Sequence, residues 1–443
     1  MRTTPFRAAL AAALMAAPAA LGNAPAAAPR EVLPFIADDY PKALAAAKAA
    51  GKPIFLEAWA PWCHTCRSMR AFVFTDKSLE ARSGSFVWLS INTEKKENAA
   101  LLAKYPVKVW PSFFVIDPTA EKVVFRYVGG ATTPQMLRVL DDGEKAFRGT
   151  AGAALAEADR LYAEGKYAEA APAYRKALET LKPEAPSYTR AVESLLFALS
   201  TAGRREECAA VARDAYPHLK ASPSAAGVAG SGLDCALGMK DDEAKRADLV
   251  AANVAFAKEV VTGPKTGLAA DDVSAVFSSL ADEREAAKDE AGAKKWLEEW
   301  AAYLEGEAAK AKTPSERTVF DAHRTSVCVA LGRPERVVPA LLLSEKDFPD
   351  DYNPPQRLAI AFGAMKKYDE ALAASDRAMA RAYGPRKLVV YRTRVDLYTR
   401  KGDAAAGKRT LGEMLAYAEG LPKEQVDERT ITAIRKQLEA APN

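Results

Sequence analysis

The sequence predicts two domains of different class: an α/β domain, a central mixed sheet flanked by helices, over about residues 31–150, followed by an all-α array of paired helices over 151–443. Three observations predict this. Ile54–Trp59 is a short, apolar, strand-like run that reads as a buried strand. Cys63 and Cys66 follow it at once, and the residues from Cys66 to Phe72 are helix-compatible. From about Ala151 onward alanine and charged residues dominate, strand signals vanish, and helix-length segments are broken only by Gly, Pro or Asp.

In the first domain the strand-to-helix transition places Cys63 at a helix N-terminus, where unpaired backbone N–H groups and the helix dipole stabilise a thiolate. Cys66 lies one turn further in, positioned to attack a mixed disulfide formed at Cys63. The expected chemistry is reversible dithiol exchange, with Cys63 as nucleophile and Cys66 as resolving thiol. A zinc site would need a second close pair of ligands. The other cysteines, Cys208, Cys235 and Cys328, are isolated, and the only histidines are His64, His218 and His323. No metal or organic cofactor is expected, because the electrons travel in the dithiol itself. His64 and Thr65, between the cysteines, are the expected tuners of redox poise: an imidazolium beside Cys63 would make the disulfide more oxidising. Pro111 directly precedes an apolar strand, and Asp117-Pro118-Thr119 signals a β-hairpin. Gly129-Gly130 precedes a last helix.

The segment Phe55 to Cys66, FLEAWAPWCHTC, resembles the active-site segment of thioredoxins, with Glu57 as the acid six positions before the first cysteine and Trp62 as the aromatic residue directly before it. Val107–Val115 resembles the thioredoxin segment whose proline is cis and faces the dithiol, and Pro111 is the matching residue. The resemblance covers about residues 31–150 and is strongest to the domains related to the periplasmic end of the bacterial transmembrane thiol:disulfide interchange protein. It implies a thioredoxin fold and protein thiols or disulfides as substrates, with a membrane protein as a candidate electron donor or acceptor. It also implies a docking groove shaped by Pro111, Trp62 and Trp110. Two departures stand out. Glu57 replaces the aspartate of thioredoxin itself, and Trp88 falls where thioredoxin has a lysine beside that acid. Glu57 is therefore expected to be unpaired and desolvated, with a raised pKa, and able to relay a proton to or from Cys66.

In the second domain, residues 154–183 carry Gly165, Tyr167, Ala170, Tyr174, Ala177 and Pro183 at the offsets of a tetratricopeptide repeat. Tyr368, Ala371, Ser375 and Ala378 mark a second good match. Turns fit at Gly165, Gly203, Gly238, about Asp289, Gly332, Lys366 and Gly402, at separations of 34 to 51 residues. The expected architecture is a tetratricopeptide-like solenoid of six or seven helix pairs, presenting a concave surface to a protein or peptide partner. His218 and His323 read as isolated core or surface residues. The array cysteines read as packing residues, although Cys208 and Cys235 sit where they could meet across the stack and form a disulfide.

Arg2 and Arg7 precede an apolar run from Ala8 to Ala20, and small residues follow, the pattern of a secretory signal peptide over residues 1–24 with cleavage somewhere in 20–28. The chain is expected to be periplasmic or secreted, or membrane-anchored if the signal is retained. Lysine and arginine total 62 against 58 acidic residues, without a basic block, which argues against nucleic acid as a partner. Two functions follow as expectations: an exported thiol-disulfide oxidoreductase whose repeats recruit substrate or partner, or a non-catalytic scaffold in which the first domain is a redox-sensing accessory.

Overall fold

The computed structural model describes residues 31–150, 153–240 and 242–441, and residues 1–24, over which a signal peptide is expected, lie outside them. The first domain is built on a five-stranded sheet. Its strands are β1 (Ile36–Ala37), β2 (Ile54–Trp59), β3 (Val87–Asn92), β4 (Ser112–Asp117) and β5 (Lys122–Val128). The spatial order is β1-β3-β2-β4-β5, with β1, β3 and β2 parallel and β4 and β5 antiparallel.

β2 lies in the middle of the sheet and is buried on both faces, which is why its sequence is apolar except for Glu57. Phe55 joins Trp88, Phe113 and Val115 in the core on one face, while Ile54 and Leu56 join Leu89, Ile91 and Phe114 on the other. Helices α1 (Tyr40–Ala50) and α3 (Ala99–Lys104) pack on the second of these faces through Ala43, Ala47 and Leu101. α2 (His64–Ser68), which continues into a π-helical turn at Met69–Val73, and α4 (Thr133–Phe147) pack on the first through Met69, Val73, Met136 and Leu140. The hairpin expected at Asp117–Thr119 joins β4 to β5, and Trp110–Pro111 is a cis peptide.

The remainder is all helical. Among the described residues seven helix pairs follow in order, from Ala153–Ala163 with Tyr167–Leu178 to Lys387–Lys401 with Ala404–Glu419, with one short extra helix at Pro314–Thr318, and Glu428–Ala440 closes the array. The predicted turns fall between or at the ends of helices. Gly165, Gly203, Gly332 and Gly402 take positive φ angles of 75°, 74°, 66° and 85°, a region that costs glycine little. Cys208 and Cys235 form a disulfide that links two successive pairs, and Cys328 is a buried free thiol.

The two domains are packed together along the array. Hydrogen bonds cross between them from Tyr167, which accepts from Arg126, through Asn353 and Tyr383 to Gln425, whose amide donates to the Thr93 carbonyl. The α/β domain is thus held against the array at points from Tyr167 to Gln425.

Candidate functional site

Cys63 is the N-cap of α2 in the structure. Its Sγ accepts from the Cys66 amide at 3.0 Å, and the two cysteines are joined as a disulfide. β2 ends at Trp59 and the chain turns through Ala60–Trp62, so the motif sits at the carboxyl end of the central strand, where open sheets place their sites. Trp62 and Trp110 meet edge to face at 5.2 Å and cover the cysteines, with cis-Pro111 following Trp110. The groove residues predicted from sequence are thus together.

Glu57 is not the unpaired acid that was expected. It is fully buried, but its Oε2 accepts from Arg70 Nη2 at 2.8 Å and from Ser90 Oγ at 2.9 Å. The sheet register explains the difference: Glu57 lies beside Ser90, whereas Trp88 lies beside Phe55 and enters the core. The cation comes from the turn after α2, and the Arg70 guanidinium also lies 4.0 Å from the Trp59 ring.

The site is closed by the array. Cys63 is 4% exposed and Cys66 is fully buried. His64 Nδ1–H donates to Asp271 Oδ1 at 2.7 Å, and Thr65 Oγ–H donates to Asp271 Oδ2 at 2.7 Å. One carboxylate from the helix Ala270–Ala286 therefore holds both residues between the cysteines. Further contacts clasp the loop before them. Arg67 pairs with Asp351, the Asn353 amide donates to the Pro61 carbonyl at 3.2 Å, and the Arg386 guanidinium lies 4.6 Å over the Trp62 ring. On the other side of Trp62, its Nε1–H donates to Glu94 Oε1 at 2.8 Å, and Glu94 Oε2 accepts from the Arg386 amide at 2.7 Å.

His323 is not isolated, as it read in the sequence: its ring lies 4.2 Å from that of His64, and its Nδ1 shares a 2.6 Å hydrogen bond with Ser274 Oγ. Burial pushes both imidazoles down. For His64 the charge and hydrogen bond of Asp271 outweigh burial, and its pKa rises above the ordinary histidine value. His323 is lowered to about 4 by burial and by the charge on His64, so it is neutral at neutral pH. Burial pushes Asp271 up, but His64, His323 and Thr65 bring it below the usual carboxylate range. The site thus holds the His64 ring beside Cys63, fixed by a buried carboxylate that favours its protonated form. Among the described residues, His64, Asp271 and His323 are the one group of three whose ligand atoms come close enough to hold a metal ion, within 4.8 Å of one another.

This geometry defines a thioredoxin-like domain with an intact dithiol. Residues 40–144 match the family described as the thioredoxin-like domain. Curated relatives include the thiol:disulfide interchange protein DsbD of Ralstonia nicotianae, 29% identical over 90 residues, which are 20% of this chain and 15% of that protein. Another is DsbD of Yersinia enterocolitica, 30% identical over 95 residues, which are 21% of this chain and 16% of that protein. The chain therefore spans only about a sixth of the length of the curated relatives it matches. Among solved structures, a tetratricopeptide repeat protein from Parabacteroides merdae aligns over 65% of this chain and 97% of its own, at 9% identity and a TM-score of 0.41.

Sequence reasoning missed Asp271, His323, Arg70, Ser90, Asp351 and Arg386. Asp271 and Asp272 open a helix as an ordinary acidic first turn, and no local pattern ties them to a motif 207 residues away.

Proposed function

We propose that this protein is a thiol-disulfide oxidoreductase that works through Cys63 and Cys66, and that the helical array acts in the same molecule on that dithiol. The observation that carries the reading is the Asp271 carboxylate, which fixes both residues between the cysteines, His64 and Thr65, an arrangement that a structural disulfide has no need of. In the reduced protein the Cys63 thiolate attacks a substrate disulfide, a mixed disulfide forms, and Cys66 attacks Cys63 to release the substrate as a thiol. Glu57, held by Arg70 and Ser90, is our candidate to handle the proton of Cys66. The chemistry needs no metal or organic cofactor.

Export to the periplasm or outside the cell fits this reading. The residue pattern of the amino terminus supports it, and so does the Cys208–Cys235 disulfide, a type of bond that persists in oxidising compartments. A membrane protein would then be the electron donor or acceptor.

A second reading, a non-catalytic scaffold with a redox-sensing domain, draws on the low exposure of Cys63. Turnover separates the two. With dithiothreitol as reductant, the wild type should reduce a small disulfide and Cys63→Ala should not, while Cys66→Ala should accumulate a mixed disulfide. Equal rates for wild type and Cys63→Ala would defeat the oxidoreductase reading.

A further inference from the structure

A cavity of about 480 Å³ lies between the domains, with Trp62 and His64, the two chain neighbours of Cys63, in its wall. Its volume falls in the range of small-ligand sites, roughly 300–1,000 Å³. The array supplies the rest of the wall, including Tyr352, Gln356, Arg357 and Arg386.

Three of these residues are left with unmet hydrogen-bonding capacity. Tyr352, Gln356 and Arg357 are only 2%, 7% and 8% exposed, yet Tyr352 Oη, Gln356 Oε1 and Arg357 Nη1 have no partner. Buried polar atoms in native proteins are nearly always paired, and three exceptions around one cavity indicate a missing polar occupant. The Gln356 amide nitrogen is already committed to Thr393 Oγ at 2.7 Å, which leaves its oxygen to accept.

The charge balance says what kind of occupant. The Arg357 guanidinium makes no hydrogen bond or ion pair with any described residue, and Arg386 contributes a second guanidinium stacked on Trp62. No aspartate or glutamate lines the cavity. The nearby acids, Asp351, which is paired with Arg67, and the fully buried Asp321, act on Arg357 through their charge without a direct hydrogen bond. Burial, with Arg67 nearby, lowers Arg357 only to about 10, so it stays cationic at neutral pH. Planar guanidinium groups favour carboxylates, and apolar side chains such as Val329 and Val390 complete a surface for an aliphatic body.

From this juxtaposition we propose that the cavity binds a small, carboxylate-bearing thiol or disulfide derived from an amino acid or short peptide, and presents its sulfur to Cys63. This rests on the oxidoreductase reading above. The carboxylate meets Arg357 and Arg386, an N–H of the ligand meets Gln356, and the sulfur end lies toward Trp62 and His64. A small substrate also suits a Cys63 that is 4% exposed.

The exchange balances without another reagent. A substrate thiolate attacks Cys63 Sγ, the Cys63–Cys66 bond breaks, and Cys66 leaves with the electron pair and takes a proton. A second substrate thiolate attacks the mixed disulfide, forms the substrate disulfide and releases Cys63 as a thiolate. Two substrate thiols are oxidised and one protein disulfide is reduced; the reverse oxidises the protein.

The test oxidises the reduced full-length protein with glutathione disulfide, with the uncharged hydroxyethyl disulfide, and with insulin, each rate divided by that of free dithiothreitol with the same disulfide. The wild type should favour glutathione disulfide over hydroxyethyl disulfide by about tenfold, the scale of a lost charge-assisted hydrogen bond. Arg357→Gln and, separately, Arg386→Gln should collapse that ratio, with folding checked by circular dichroism. Val329→Trp, which fills the cavity without touching charge, should do the same. A wild-type ratio near one, a ratio that survives in folded variants, or a larger normalised rate for insulin overturns the proposal while leaving the dithiol active. Failure to react with any disulfide overturns the oxidoreductase reading and this one with it.

Discussion

Asp271 Oδ1 lies 2.7 Å from His64 Nδ1, although 207 residues separate them. The array thereby reaches into the dithiol motif and favours the protonated form of the residue next to Cys63. His64 should titrate above the ordinary histidine value because Asp271 more than offsets its burial, and His323 should titrate near 4. The chain has only three histidines, so proton NMR can follow each ring. Asp271→Asn leaves His64 buried without its counter-charge, and its pKa should then fall below about 6.5. An unchanged His64 titration in that variant would separate the two groups.

Stability should carry the same linkage. The raised pKa of His64 means that the folded protein holds this proton more tightly than the unfolded chain. That contribution is whole below about 6.5 and is lost as pH rises through the raised value. Asp272 has the same sign: burial and then the charge of Asp271 push it from 3.8 up to about 7, so its ionisation costs stability as pH rises through that window. Asp272→Asn should raise Tm at pH 8 by about 2 °C or more, with the gain shrinking toward pH 4. His323 works the other way, its contribution being lost as pH falls toward about 4. A calorimetric Tm series across pH checks both limbs.

Arg67 and Asp351 join the motif helix to the array, with side chains only 16% and 13% exposed. Asp351→Ala leaves a largely buried guanidinium without its partner, a loss of about 3 kcal/mol at the low end for such pairs. The interface should loosen before the domains unfold. Amide hydrogen exchange should rise in residues 61–67 and 351–353 while the β2 and β3 amides stay protected.

The Cys208–Cys235 disulfide closes a loop with a sequence separation of 27. The chain-entropy relation gives it about 3.5 kcal/mol. The double variant Cys208→Ser with Cys235→Ser should lower the free energy of unfolding by about that amount in urea titrations. Alkylation of the oxidised protein without reductant, followed by mass analysis, should label Cys328 alone.

What could be read from the sequence was local. The buried strand Ile54–Trp59, the N-cap position of Cys63, the hairpin after Asp117 and the glycine turns of the array each depend on residues within a few positions, and each is found as expected. Cys208 and Cys235 read first as packing residues, with pairing left open because repeat spacing brings successive helices together, and the structure joins them. The partner of Glu57 was not, since strand register, rather than distance along the chain, puts Ser90 beside it and a π-helical turn carries Arg70. The packing of the α/β domain against the array was hidden for the same reason. Asp271, Asp351 and Arg386 are ordinary charged helix residues until the two domains are packed together.

The central claim is that the array covers a chemically competent dithiol. The most direct measurement compares the rates at which N-ethylmaleimide and a maleimide carried on a long polyethylene glycol chain modify Cys63 in the reduced native protein. Each rate is normalised to the urea-unfolded protein, with the site assigned by peptide mass. The account predicts that the small reagent reacts readily, that the large one is slowed at least tenfold more, and that Asp351→Ala narrows the gap. Equal normalised rates for the two reagents in the wild type would contradict it.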